Sequence, residues 1–425
     1  MRAISATVAA ALALALLAVF AGGAQAAATA HASASPQRSL TNALNRGMHA
    51  AGSYSGAYVQ DLNTGQTLYS DRARSARLPA SLEKLYTTST ALIEFGRSAT
   101  LSTSVLGVGR MQGGTFTGTL YLRGGGDPTF GSAAFDRANY GTGASVQQLA
   151  ATLISTTGIR GLNGGVVADE SMFDSLRGTP ATGYAPSIDV EGELSALAFN
   201  RGWANPYGSA YFLHPALEAG QQLLAALKAA GVRVPGPTHV SAGVTPPGAT
   251  RLAAVRSPSL ASLVALTNTP SDNFFAEMLL KDLGARYGAG GSTAAGAAVV
   301  RATIGSRFGL HPRFNDGSGL SRYDRTTPFD VVSLLRQQAA NPPFRGSLAV
   351  AGETGTLRDE LRGTYAQGRC RGKTGTLHDV SNVVGYCLAR DGHTLAYALL
   401  MNGVYPYYAH PIQDRMQVAL ASYDG

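Results

Sequence analysis

Ser81-Leu82-Glu83-Lys84, Ser271-Asp272-Asn273 and Lys373-Thr374-Gly375-Thr376 follow one another along the chain, and the fold turns on reading the three together. Each alone is weak. A serine three residues before a lysine, or two before an asparagine, reads most simply as a solvated helix turn or an N-cap. Their settings add the weight. Pro79-Ala80-Ser81 opens a run from Leu85 to Phe95 with apolar residues at helical spacing, and Gly96 stops it. Ser271 begins a second helical run that reaches Leu283, and Lys373 stands in a late strand-like run, Gly368 to Thr376.

These residue types at these positions suit nucleophilic catalysis. Ser81 and Lys84, at i and i+3, share one helix face, which puts an amine within reach of a hydroxyl. A lysine with its ordinary pKa of about 10.4 is a poor base near neutrality. Burial, the positive end of the helix and a second cation at Lys373 would each push that value down and leave an amine able to take the serine proton. Ser271 can pass a proton to a departing amine, and Asn273 can hold a substrate backbone. Lys373, Thr374 and Thr376 suit a terminal carboxylate, and Gly375 keeps a strand edge open for a peptide. The backbone N–H groups of Ser81 and Thr376 are natural oxyanion donors. A substrate with a peptide C-terminus follows.

Working outward, the first part of the chain predicts a helix near Leu40 to Ala50 and a hairpin, Gly56 to Leu62 and Gln66 to Ser70, turned by Asn63-Thr64-Gly65. The last part predicts helices over 259–266, 293–308 and 329–339, strands over 368–376, 382–389 and 394–401, and a final helix from Pro411 to Ala421. Two strands from the start and three from the end make an antiparallel five-stranded sheet with helices on it, an α+β domain. Between Ala99 and Val255 the texture changes to short β-like runs, glycine-rich turns and two helices, near 147–156 and 216–230. The expected order is therefore a signal peptide at 1–26, a first part of the domain at 27–98, an inserted domain at 99–255 and the second part at 256–425.

Composition fits an exported globular protein. Arg2, the apolar run from Val8 to Phe20 and Ala24-Gln25-Ala26 make a signal peptide with its cleavage site, shorter than a spanning helix, so no membrane anchor is expected to be retained. Hydrophobic residues make up 45% and charged ones 14%, which excludes a disordered chain, and the net charge of +8 is too modest to imply nucleic acid. Of 34 basic residues only Lys84, Lys228, Lys281 and Lys373 are lysines. Two of these four stand in the motifs, and only lysine can lose its proton near neutrality. Cys370 and Cys387 fall opposite each other about the turn at His378 and Asp379, so a disulfide is expected in an exported chain, against the alternative of two free buried thiols. The eight histidines lack metal-ligand spacing, and no metal or cofactor is expected.

The three motifs together are the signature of penicillin-binding proteins and related β-lactamases. The chain resembles the low-molecular-mass class C penicillin-binding proteins in particular, through Gly125-Gly126-Asp127-Pro128, Asp169-Glu170-Ser171-Met172-Phe173-Asp174, Tyr184-Ala185-Pro186, Leu194-Ser195-Ala196-Leu197 and Asp316-Gly317-Ser318-Gly319-Leu320-Ser321-Arg322. That resemblance implies a DD-peptidase domain of the serine β-lactamase type and D-alanyl-D-alanine carboxypeptidase or endopeptidase activity. It implies peptidoglycan peptides as substrate and β-lactams as covalent inhibitors. Catalysis falls to Ser81, Lys84 and Ser271, and substrate binding to Asn273, Lys373, Thr374 and Thr376. Arg322 matches a substrate-side-chain arginine, against the rival reading of a structural salt bridge. Ser81 and Ser271 stand 190 positions apart, which excludes the compact class A β-lactamases. Family members nest two domains in this interval, whereas here a short segment, Arg201 to His214, replaces the inner one. A β-lactamase or esterase of the same fold, and a non-catalytic cell-wall sensor, are the competing functions.

Overall fold

The computed structural model describes residues 35–236 and 238–425. The expected signal peptide lies outside the described residues. Five antiparallel strands pair in the order Thr67–Asp71, Gly56–Asp61, Thr394–Asn402, Val380–Leu388 and Cys370–Leu377. A sixth, Ala349–Val350, adds two residues beside Arg371 and Gly372. The expected five strands thus become six, because a strand of two residues has no period to read. The start and end of the chain meet directly, with Gly56 opposite Leu400 and Asp61 opposite Leu395.

Successive strand residues point to opposite faces, and here both faces are covered. Ala57, Val59, Leu399 and Met401 pack with Leu40, Leu44 and Met48 of the helix Pro36–Ala51 and with Ile412, Met416 and Leu420 of the helix Pro406–Ala421. Tyr58, Ala396, Ala398 and Leu400 face the other way, into a core shared with the helices Glu83–Glu94, Asn273–Tyr287, Thr293–Phe308 and Pro328–Gln338. The final helix begins five residues before the expected Pro411. Pro406 takes the favourable first-turn position, while Pro411 sits inside the helix. No described helix is long and apolar enough to cross a membrane.

A second sheet occupies the middle of the sequence. Ser102–Gln112 and Thr115–Arg123 form a hairpin turned by Gly113 and Gly114, both left-handed. Val166–Asp169 and Gly161–Asn163 run parallel to Thr115–Arg123, Val240–Ala242 flanks Val166–Asp169, and Thr250–Arg256 pairs with Ser102–Gln112. Ser102 lies opposite Arg256, so the chain leaves and returns side by side. Its own core joins Val105, Leu120 and Val166 to Leu149 and Leu153 of the helix Val146–Thr157 and Leu223 and Leu227 of the helix Pro215–Ala229. Between Asn200 and Pro215 there is only a short turn and a loop closed by a bridge between Trp203 and Tyr211.

Cys370 stands opposite Cys387 in register and the two are disulfide-bonded across a separation of 17 residues. Closing a loop of this length removes chain entropy worth about 3 kcal/mol from the unfolded state. The denatured, unreduced protein should therefore expose no thiol from this pair. A Cys370→Ala/Cys387→Ala variant should lose about 3 kcal/mol in urea unfolding, and two titratable thiols or an unchanged midpoint would contradict this.

Candidate active site

Ser81 sits in a 3-10 turn, Ala80–Leu82, immediately ahead of the helix Glu83–Glu94. The residue before it, Ala80, is held in the left-handed region at φ 48, a strain that surrounding bonds must sustain. Asn382 donates from Nδ2 to the carbonyls of Leu78 and Pro79, both at 2.9 Å, and Oδ1 of Asn402 accepts the N–H of Leu78 at 2.7 Å. These asparagines come from the two central strands, so the sheet itself fixes the Ser81 turn. Sequence reading passed over them. Their signal was an amide side chain at one end of each of two largely apolar runs, Asn382 at the start of 382–389 and Asn402 just past 394–401.

Gly375 serves a different end from the one expected. A Cβ there would lie 2.5 Å from the carbonyl oxygen of Pro79, so its bareness lets the strand press against the Ser81 turn. The open edge has another cause: Ala349–Val350 pairs only with Arg371 and Gly372, and among the described residues no strand follows on that side from Lys373 to Leu377. Gly319, left-handed at φ 85, closes on the same turn from the Asp316–Ser321 loop, where a Cβ would meet the Ala80 carbonyl at 1.8 Å.

Lys84 is fully buried and its Nζ donates to Ser81 Oγ at 2.8 Å, to Asn273 Oδ1 at 2.5 Å and to the Ser318 carbonyl at 2.9 Å. Burial pushes its amine down to about 8, against the pull of Glu191, Asp272, Asp316 and Glu277. The expected repulsion between cations falls on Lys373 instead, which burial and then Lys84 hold well below the usual lysine value. Glu277 accepts the N–H groups of Gly317 and Ser318, and so positions the carbonyl that receives Lys84. Burial, with Asp316 next, pushes Glu277 up to about 8. Glu83 is wholly buried beside Asp324, Asp316 and Glu277, and burial raises it well above the usual carboxyl value.

Lys373 Nζ donates to Ser271 Oγ at 2.6 Å and to the Thr374 carbonyl at 2.8 Å. Ser271 is not in the helix. It precedes it in a left-handed backbone at φ 70, Asp272 is the N-cap, and Asn273 is the first helical residue. The hydroxyl of Thr374 donates to Thr356 at 2.8 Å rather than joining Lys373. Thr374 and Thr376 line a cavity of about 160 Å³ with Glu360, His410 and Asp414. Thr376 also faces a larger groove of about 720 Å³ with Asp189, Asn273, Leu320, Leu377 and Tyr405. Arg322 is exposed and paired through both nitrogens with Asp379, at 2.7 and 3.0 Å.

The D-Ala-D-Ala carboxypeptidase 3 (S13) family matches residues 37–192 and 204–423. The chain belongs to that family. The S13 peptidase is 28% identical over 456 residues to a D-alanyl-D-alanine carboxypeptidase of Actinomadura sp., covering 88% of this chain and 82% of the relative. It is 29% identical over 366 residues to carboxypeptidase DacB of Mycolicibacterium smegmatis, covering 82% and 76%. In fold it is similar to penicillin binding protein 4 from Haemophilus influenzae, with a TM-score of 0.73 at 19% identity over 89% of this chain and 99% of that one. A penicillin G acylated predatory endopeptidase from Bdellovibrio bacteriovorus shares the fold at a TM-score of 0.51 and 17% identity, over 86% and 88%. The protein is thus a serine peptidase of the D-Ala-D-Ala carboxypeptidase type, with the α+β fold of the penicillin-binding proteins.

The contact between Gly375 and Pro79 gives the S13 peptidase a sharp test. Gly375→Ala should keep native far-ultraviolet circular dichroism while slowing acylation of the enzyme by penicillin at least ~10-fold, since small misplacements of reacting groups are costly. Acylation at the wild-type rate would show that the turn does not depend on this contact.

Proposed function

We propose that this peptidase cleaves peptidoglycan stem peptides ending in D-Ala-D-Ala through an acyl-enzyme on Ser81, with Lys84 as the base. The observation that carries it is the 2.8 Å bond between a buried lysine amine and the serine hydroxyl. The neutral amine takes the Ser81 proton as Oγ attacks the penultimate carbonyl, and the oxyanion lies between the N–H groups of Ser81 and Thr376. Ser271, bonded to Lys373, relays the proton that Lys84 has taken on to the leaving D-alanine nitrogen, so that both return to their starting forms. Water then releases the acyl group as the shortened peptide.

The substrate lies extended along the unpaired edge from Lys373 to Leu377, with its carboxylate toward Lys373 and the Thr376 hydroxyl, and toward that of Thr374 once it leaves Thr356. Asn273 orients the chain on the opposite side. Arg322 belongs to the rim, where its exposed pair with Asp379 can open toward a substrate side chain. Endopeptidase action needs only that the leaving amine belong to a second stem peptide. We further assign the chain to export, with the peptidase domain at 27–98 and 256–425 interrupted by 99–255, in keeping with the adjacency of Ser102 and Arg256.

A β-lactamase would need an extra group able to activate water on the acyl group. Glu83 is wholly buried with its carboxyl raised by that burial, and Glu191 and Asp272 are engaged by the Asn273 N–H and by Arg201, which unfits them for that work. A sensor would have no need of a buried base.

Penicillin should add its full mass to Ser81 and leave slowly compared with turnover of a D-Ala-D-Ala peptide. Ser81→Ala should give no adduct, and Lys84→Arg should slow acylation by about 100-fold or more, because arginine cannot give up its proton. The base must be neutral, so the acylation rate should rise with pH and level off above the Lys84 value of about 8. A flat profile from neutrality upward, or penicillin hydrolysis as fast as peptide turnover, would overturn the assignment.

A further inference from the structure

The turn from Asp189 to Arg201 meets the active site under strain, with Glu191 left-handed at φ 62 and Arg201 at φ 60. Gly192 is pressed on the helix Asn273–Tyr287, where a Cβ would come within 2.4 Å of the Phe274 ring. Arg201 holds this arrangement. Its Nε donates to the Glu191 carbonyl at 2.7 Å, and its two terminal nitrogens bind both oxygens of Asp272 at 2.7 and 2.9 Å. Trp203 Nε1 donates to the same Glu191 carbonyl at 3.1 Å. The guanidinium lies over the rings of Trp203, Phe274 and Phe275, with its side chain only 7% exposed. Arg201 falls between the two blocks that match the family.

This clamp delivers a carboxylate to the catalytic centre. Glu191 Oε2 accepts the backbone N–H of Asn273 at 2.7 Å. The side chain of Asn273 is fixed at both ends, with Oδ1 accepting from Lys84 and Nδ2 donating to the Asp189 carbonyl at 2.6 Å. Glu191 is therefore one residue removed from the base. We propose that Glu191, held by Arg201, is a positioning residue of the acyl-transfer site that fixes Asn273 and sets the charge state of the Lys84 amine.

The charges around Lys84 make Glu191 the adjustable one. Lys84 is faced by Glu191, Asp272, Asp316 and Glu277, with Glu83 behind and Lys373 across the site. Asp272 is matched by the Arg201 fork, and Glu83, Glu277 and Asp316 are fully buried with carboxyls raised by that burial. Glu191 differs in being 42% exposed, although burial raises its carboxyl too, and besides Lys84 it is faced by Asp272, Arg201, Lys373 and Tyr211. A negative charge here favours the ammonium form of Lys84 and so holds its value up. Removing that charge must lower it. The enzyme then keeps more of its base neutral at a given pH.

This inference rests on Lys84 being the base, and one series of measurements separates the two. The rate of acylation by penicillin is followed between about pH 5 and 10, the span across which a base of this kind titrates, for wild type, Glu191→Gln and Glu191→Asp. In Glu191→Gln the acid limb should move to lower pH by about 0.5 to 1 unit, a shift reduced by solvent exposure. Glu191→Asp, which keeps the charge, should leave the limb within about 0.3 unit of wild type. No adduct on wild-type Ser81 would overturn the proposed function itself. A normal wild-type profile with an unmoved limb in Glu191→Gln, or the same loss at every pH in both variants, would overturn the role given to Glu191. So would a limb that moves equally in both.

Discussion

One amine buried among three segments of chain organises this molecule. Lys84 Nζ ties the Ser81 turn to the start of the helix Asn273–Tyr287 and to the loop at Ser318, partners 189 and 234 positions away in sequence. Each bond answers a need of the others, since a lysine taken out of water must find acceptors for its hydrogens or shed its charge. Lys84 does both in part. It makes three bonds, and burial lowers its hold on the proton.

The carboxyls nearby show how such a site is sustained. Glu277 presents the Ser318 loop, and Asp316 accepts the N–H groups of Gly319 and Ser321, so the loop that receives Lys84 is shaped from within by acids. Burial favours their neutral forms, which limits the charge that must be kept from water. Left-handed residues at Ala80, Glu191, Arg201 and Ser271 cluster around the same centre. Local backbone preference is overridden there, which requires the dense bonding found around it.

Much of this was legible in the sequence, because strong periodicity and paired motifs report local structure well. The strands from 380 to 402 are buried on both faces and read as apolar runs, and the register that unites Cys370 with Cys387 follows from one turn. The contact between Ser81 and Lys84 follows from their spacing on one helix face, whereas the one between Lys373 and Ser271 joins two motifs that nothing in the sequence pairs. What escaped were residues whose role depends on contacts far along the chain. Asn382 and Asn402 act on Leu78, some 300 positions away, and Arg201 acts on Asp272. No periodicity marks such partners. Gly375 was noticed for the right bareness but the wrong neighbour, because only packing shows which backbone approaches it.

The side-by-side pairing of Ser102 with Arg256, and the smaller bridge between Trp203 and Tyr211, bear on how such a protein can change over evolutionary time. Where a segment leaves and re-enters at one place, its length can grow or shrink without moving the ends. Closing a longer loop costs only about 0.6 kcal/mol for each doubling. The Trp203–Tyr211 loop is thus a natural point of expansion or loss, and material can be gained or shed there while the bonds at Lys84 stay in place.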